Sequence, residues 1–360
     1  MSEARTHRGI LLNASRVTSV GGLHAYTDAI LRCLSASGEV TAALVAPQMQ
    51  LPPNVTRLEA PASITMRGAS SWLRSLRGYF YAVRQSRRYA DWHVLSTTHL
   101  GLQGHRRQVL TVHDLRPRFL PDSWVQGVYF RFLLPRILRK ADGVLTVSEA
   151  SKEMIAATYG ISRGKIFVVP NVVRAVKPAV VIVPEAPYLL MVNAMYRHKN
   201  ATELLEQHAL WRPRYRLKIL TGEGRLREEL RAQVKSLGLA AHVDFLPVVS
   251  DEELATLYTH AAALVYPSRM EGFGLPPAEA MLYGTPVIVS DIPVFHEILG
   301  DVPLFVQLGD RASWQRALEG IEDARSAERV ERGKRIAEQY SEARMCTALT
   351  AALRAIWPNR

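Results

Sequence analysis

Cysteine is nearly missing from this chain, with Cys33 and Cys346 the only two. Both fall in stretches that read as helices, so no disulfide framework is implied. The expectation is two unpaired thiols in a cytoplasmic protein. Long apolar runs are missing too, and none approaches the ~18–20 residues that a membrane-spanning helix requires. The opening, MSEARTHRGILLNAS, passes from polar residues straight into a strand-like run, without a signal-peptide pattern. No zinc-finger, RRM or KH signature occurs, which counts against nucleic acid as a partner. Short repeats and low-complexity tracts are also lacking.

What remains is a globular composition. Hydrophobic residues make up 48% of the 360 and charged residues 22%, enough for two domains, each with its own core. The net charge of +12 is unevenly placed. Between Arg67 and Lys140 there are fourteen Arg and Lys against three Asp. Within RGASSWLRSLRGYFYAVRQSRRYADW and YFRFLLPRILRK the arginines alternate with Trp, Tyr, Phe and Leu. A solvated basic face and a nucleic-acid surface are competing readings. The interleaving best suits an anionic membrane surface, where rings enter the interface and arginines meet phosphates.

Short apolar runs alternate with helical stretches along nearly the whole chain. GILLNA, VTAALVA, WHVLST, QVLTVHD, GVLTVS and KIFVVP read as strands of one set. YLLMVNA, RLKILTG, VDFLP, ALVYPS, PVIVS and PLFVQL form a second. Continuous apolar strands separated by amphipathic helices predict parallel sheets covered on both faces. Ser250 and Glu253 have capping-box spacing at the start of SDEELATLYTHAA. The expected fold is α/β, with two doubly wound Rossmann-like domains facing across a cleft. The N-terminal domain spans 1–170, a proline-rich linker 171–187 and the C-terminal domain 188–340. A closing helix over 341–360 can pack back on the N-terminal domain. In such sheets ligands bind beyond the carboxyl ends of the strands.

Four strand ends carry candidate chemistry. Gly21 and Gly22 follow the first strand, where bare backbone admits a phosphate to a helix N-terminus; a plain tight turn is the alternative. They are not part of a G-x-G-x-x-G. His113 and Asp114 end the strand QVLTVHD. Arg197 and Lys199 sit in NAMYRHKN, beside a helix that Asn200 can cap, and two cations there suit a diphosphate. Arg225 in TGEGRLREEL is a further candidate for the same anion. In EGFGLPPAEAMLYG, Glu271 lies on a loop and Glu279 on the helix begun by Pro276 and Pro277. Gly272 and Gly274 leave the amides of Phe273, Gly274 and Leu275 open to an anion. Carboxylates at two positions suit vicinal hydroxyls, so the implied ligand has hydroxyls at both ends and phosphate between. That describes a nucleotide sugar.

With these residues in place, the chain resembles the retaining glycosyltransferases of the GT-B fold, glycosyltransferase family four, over nearly its full length. The likeness is strongest from Tyr188 to Gly300, where E-x7-E runs into EAMLYGTPVIVSDIPVFHEILGD. The resemblance implies that Glu279 binds the donor ribose and Glu271 the transferred hexose. It assigns the diphosphate to Arg197 and Lys199, donor phosphates and acceptor to Gly21 and Gly22, and the hexose side to His113. Where many relatives have Gly this chain has Asn193-Ala194, and His198 separates Arg197 from Lys199. There is no Asp-x-Asp, so no metal and no cofactor are expected, the cations neutralising the leaving group.

The expected reaction is hexosyl transfer with retention in bacterial surface polysaccharide synthesis. The best-fitting donor is GDP-mannose, from RHKN and EGFGLP, and the acceptor a lipid-linked or membrane-proximal saccharide. The protein would then sit peripherally on the inner face of the membrane. UDP-sugars remain open as donors. A GT-B nucleotide-sugar epimerase and a non-catalytic nucleotide-sugar- or nucleic-acid-binding protein are the alternatives.

Overall fold

A computed structural model describes residues 9–358 apart from 16, 18–20, 39, 47, 60–70 and 180–185. The polar start of the chain, the first residues of the basic segment and part of the 171–187 linker lie outside the described residues. The described chain divides into two compact units. One comprises residues 1–172 and 341–360, the other residues 173–340.

The first unit is built on a seven-stranded parallel sheet. Its strands are β1 (Ile10–Asn13), β2 (Val40–Val45), β3 (Thr56–Glu59), β4 (His93–Ser96), β5 (Gln108–Thr111), β6 (Gly143–Thr146) and β7 (Ile166–Val168). They lie in the order β3-β2-β1-β4-β5-β6-β7, so the winding reverses between β1 and β4. β1, β4 and β6 are buried throughout, as continuous apolar strands covered on both faces must be. The edge strand TRLE was not among the expected strands, because its polar sequence gives no apolar run and, among the described residues, it pairs with β2 alone.

The last helix, Glu342–Ile356, belongs to this unit. Met345, Leu349, Ala352 and Leu353 recur at helical spacing and are buried, and the helix packs on the first helix, Gly22–Ala36. Gly143 on β6 admits Ile356, since a Cβ there would stand 2.5 Å from its Cδ1. Trp357 Nε1 donates to Asp142 at 2.8 Å. At the same helix pair the expectation of two unpaired thiols is corrected: Cys33 and Cys346 are joined in a disulfide, with Cα atoms 5.1 Å apart. The physical reason is the packing of first helix on last, which brings together residues 313 positions apart and which no local pattern announces.

The second unit has six parallel strands: β8 (Tyr188–Met191), β9 (Arg216–Leu220), β10 (Val243–Leu246), β11 (Ala263–Tyr266), β12 (Val287–Ser290) and β13 (Leu304–Val306). Their order is β10-β9-β8-β11-β12-β13, and the winding reverses between β8 and β11. The core joins Leu189, Met191, Leu217, Val265, Trp211 and Trp314. The capping box forms as expected, with Ser250 and Glu253 bonded reciprocally. Residues 173–179, expected as linker, lie along this unit. Tyr283 Oη donates to the Val176 carbonyl at 2.9 Å, and Thr256 Oγ1 to that of Ala179 at 3.1 Å.

Candidate active site

Strand order places the candidate residues before any side chain is considered. In a doubly wound sheet the loops on either side of the winding reversal diverge, which opens a crevice at the carboxyl ends. In the second unit those loops follow β8 and β11. The first carries Asn193–Asn200 and the second Pro267–Gly274.

The loop after β8 is held by two non-glycine residues in the left-handed region, Asn193 at φ 57° and Asn200 at φ 62°. Asparagine tolerates that region best among residues with a side chain. This accounts for asparagine at position 193. Between them, residues 197–199 form one 3₁₀ turn, which sends neighbouring cations apart. Lys199 is buried, whereas Arg197 is 71% exposed and paired with Glu229. Arg225 bonds the same Glu229 at 2.8 Å. The expected Arg197–Lys199 pair is therefore split, and Arg197 groups with Arg225.

Asn200 does not cap the next helix through its side chain. Left-handed backbone turns that side chain elsewhere: Nδ2 donates to Glu203 at 2.6 Å and Oδ1 accepts from Arg269 at 3.1 Å. Glu203, buried, also accepts from the Gly309 amide at 2.7 Å and Trp314 Nε1 at 3.0 Å. Three donors on one carboxylate tie this loop to the segment after β13.

Lys199 Nζ donates to Glu271 Oε1 at 2.5 Å, with both side chains about one-tenth exposed (9% and 11%). The same nitrogen bonds the Tyr266 hydroxyl and lies 4.5 Å from that ring's centre. Ser268 Oγ donates to Glu271 at 2.5 Å. Burying an ion pair is costly unless its remaining valences are filled, and Tyr266 and Ser268 fill them. Burial, then the charge of Glu271, drives the Tyr266 phenol far above its ordinary value, so it stays neutral. Neither residue was singled out in the sequence, although the S-x-x-E spacing of Ser268 and Glu271 was there to read.

Beyond Glu271 the backbone turns at Gly274, φ 92° and ψ 56°. A Cβ there would stand 2.6 Å from the Phe295 ring, so conformation and space both demand glycine. Gly272 and Phe273 are buried, and Phe273 packs edge-on against Tyr340 with ring centres 5.0 Å apart. Leu275 opens the helix Leu275–Leu282, with Pro276 and Pro277 in its first turn. Glu279 projects from that helix to accept from Tyr258 Oη at 3.2 Å. Burial raises its carboxyl to about 7; the tyrosine hydrogen bond opposes the rise and the Asp251 charge adds to it.

The first unit carries the other candidates. Gly21 has φ 95° and precedes the helix that Gly22 begins; both are exposed. Thr27 of that helix donates to Thr97, just past β4, at 2.9 Å. His113, past β5, bonds the Thr97 carbonyl through Nε2 at 2.9 Å. A carbonyl only accepts, so that nitrogen carries the proton. Burial lowers this imidazole to about 4, against the opposing effect of the carbonyl, so it is neutral near pH 7. Tyr26 meets its ring edge-on at 4.7 Å. Asp114 has a local task, its carboxylate accepting from the Arg116 amide at 2.8 Å.

Two doubly wound sheets, with Lys199 and Glu271 at the winding reversal of one and a glycine-opened helix beside them, define a GT-B glycosyltransferase. In fold the chain matches the sucrose-phosphate synthase of Thermosynechococcus elongatus, with a TM-score of 0.80 over 98% of this chain and 100% of that one at 18% identity. The family model described as "Glycosyl transferases group 1" matches residues 173–339, and "Glycosyltransferase Family 4" matches 20–176. The chain is 41% identical over 266 residues to "O-antigen chain mannosyltransferase RfbU" of Salmonella typhimurium, covering 73% of this chain and 75% of that one. It is 30% identical over 229 residues to "O-antigen chain mannosyltransferase B" of Escherichia coli, covering 57% and 58%. The chain belongs to the group 1, family four glycosyltransferases.

Proposed function

We propose that the chain transfers mannose from GDP-mannose, with retention of configuration, to a lipid-linked or other saccharide acceptor in O-antigen synthesis. The observation that carries this reading is the 41% identity, over most of both chains, to a protein named an O-antigen chain mannosyltransferase. The buried charges of the second unit give it chemical content.

On this reading Glu279 accepts the ribose hydroxyls and Glu271 the hexose hydroxyls. Lys199 pairs with Glu271 while the site is free of donor and turns to the diphosphate when donor binds. Arg197 and the amides of Phe273, Gly274 and Leu275 add positive potential for the leaving group. Gly21 and Gly22 leave backbone bare for phosphate and acceptor. His113, neutral, offers the hexose a hydrogen bond and no proton. The departing phosphate accepts the proton of the acceptor hydroxyl on the face from which it leaves. Glu271 then remains a ligand of the hexose, its Oε1 still held by Ser268 after Lys199 has turned to the diphosphate. The reaction needs no metal on this account, and chelation leaves the rate unchanged. The protein works in the cytoplasm at the inner membrane face. On this reading the association is peripheral; among the described residues no helix is long and apolar enough to cross a membrane.

The test is turnover by purified protein with GDP-mannose, UDP-glucose, UDP-galactose and an ADP-sugar, using a lipid extract as acceptor. Consumption of GDP-mannose and an α-linked lipid product support the assignment. Preference for a UDP-sugar overturns the donor, and a β-linked product overturns retention.

A further inference from the structure

We propose that the helical segment between Arg116 and Lys140 in the first unit is an interfacial docking face for an anionic lipid bilayer. It deepens the membrane-side placement above by naming the surface that makes contact.

Seven of the eleven large apolar side chains exposed among the described residues fall between 119 and 133. Scattered exposed apolar residues need no explanation, but a concentration of this kind marks a contact surface. Three stretches follow closely: an α-turn over Trp124–Val128, a π-turn over Tyr129–Leu133 and a helix over Leu134–Lys140. Their inner side is already satisfied, for Phe130, Leu134 and Leu138 are buried in the core with Leu115 and Ile155. A second apolar row nevertheless faces outward. Trp124 is 79% exposed, Val128 44% and Phe132 50%. They stand at i, i+4 and i+8, so they share one side, and the wider π-turn brings Phe132 back toward the direction of Trp124. Folding does not require this outer row.

The rim is cationic. Residues 116–140 hold six Arg and Lys and one acid, Asp122. Asp122 is occupied by Arg116, which meets both its oxygens at 3.0 and 2.9 Å. Arg118 lies 5.5 Å from the Phe119 ring centre and Arg131 5.7 Å from that of Phe132. Exposed rings beside guanidinium groups match the boundary between acyl chains and phosphates. A second copy of the chain fits less well, because a twofold contact through this face sets arginine against arginine.

Flotation of the full chain with vesicles tests the assignment, comparing phosphatidylcholine alone with phosphatidylcholine doped with phosphatidylglycerol. The wild-type protein floats with the anionic vesicles and salt weakens it. Trp124→Ala with Phe132→Ala lowers partitioning by about tenfold or more, and Arg131→Gln with Arg136→Gln does likewise. Failure of the wild type to float, or flotation unaffected by either pair, overturns the proposal. Concentration-dependent dimers abolished by Trp124→Ala, without vesicle binding, assign the face to a second copy instead. All variants keep the thermal shift given by GDP-mannose, so a negative flotation result leaves the donor assignment standing. Loss of that shift in the wild type refutes the donor assignment alone.

Discussion

At the winding reversal of the second sheet, two neighbouring strands deliver Lys199 and Glu271 into a buried ion pair, and Glu279 stands on the helix that follows. At the reversal of the first sheet, β1 and β4 lead to glycines and to the Thr97 hydroxyl, with the neutral His113 one strand further on. The first unit has abundant charge, and six of its Arg and Lys lie on the largely exposed segment 116–140. One winding thus supports two electrostatic designs. On the readings proposed above, charge buried at a strand end serves a small anionic ligand, and charge on an exposed helical segment serves a surface. The difference lies in the loops, which the sheet positions but does not specify.

The contrast breaks most severely at Lys199. Lys199→Ala strands Glu271 in a buried site, costing about 3–5 kcal/mol of stability and about 10²–10³-fold in kcat. Adding Glu271→Gln recovers most of the stability and none of the turnover. Thermal melts with steady-state kinetics on the two single variants and the double variant check this. If the double variant melts no higher than Lys199→Ala, the pair is not what holds the site.

Glu279 gives the next effect. Glu279→Gln raises the donor KM by about tenfold with little change in kcat. Because burial raises this carboxyl to about 7, the folded state keeps a proton that the unfolded chain releases near 4.5. Its cost is therefore absent below that value and complete above about pH 7, on the order of 2–3 kcal/mol. Melts across this range show a loss of stability with rising pH that the Gln variant lacks. Donor affinity moves the other way, rising up to about tenfold between roughly pH 6 and 8 as the carboxylate forms.

On the first unit the expected effects are smaller. His113→Asn lowers kcat about tenfold, and both proteins share one pH profile from roughly pH 5 to 8, since a group titrating near 4 contributes no limb there. A limb that disappears in the variant contradicts the neutral imidazole. Smallest for catalysis is the link between the first and last helices. Cys346→Ser lowers stability by about 2–4 kcal/mol and leaves turnover unchanged at temperatures where the variant is folded.

Much of this was legible before the fold. Apolar runs marked twelve of the thirteen strands among the described residues, and EGFGLPPAE announced a loop, a bare backbone and a helix start. Lost to sequence reading were features set by partners far along the chain. Tyr266 and Ser268 read as the end of a strand, and only the parallel pairing of β8 with β11 shows that they hold Lys199 and Glu271. Tyr258 sits inside an ordinary amphipathic helix, and its contact with Glu279 appears only once that helix is packed. Arg197 and Lys199 looked paired because they are two residues apart, yet one 3₁₀ turn parts them. β3 escaped because an edge strand needs no apolar run.

The central claim is that the second unit holds the donor through its buried charges. It is tested most directly by calorimetric titration of GDP-mannose into the wild-type protein and into Lys199→Ala/Glu271→Gln. The account predicts saturable binding to the first and binding weaker by about 10²-fold or more to the second. Equal affinity of the two proteins would contradict it.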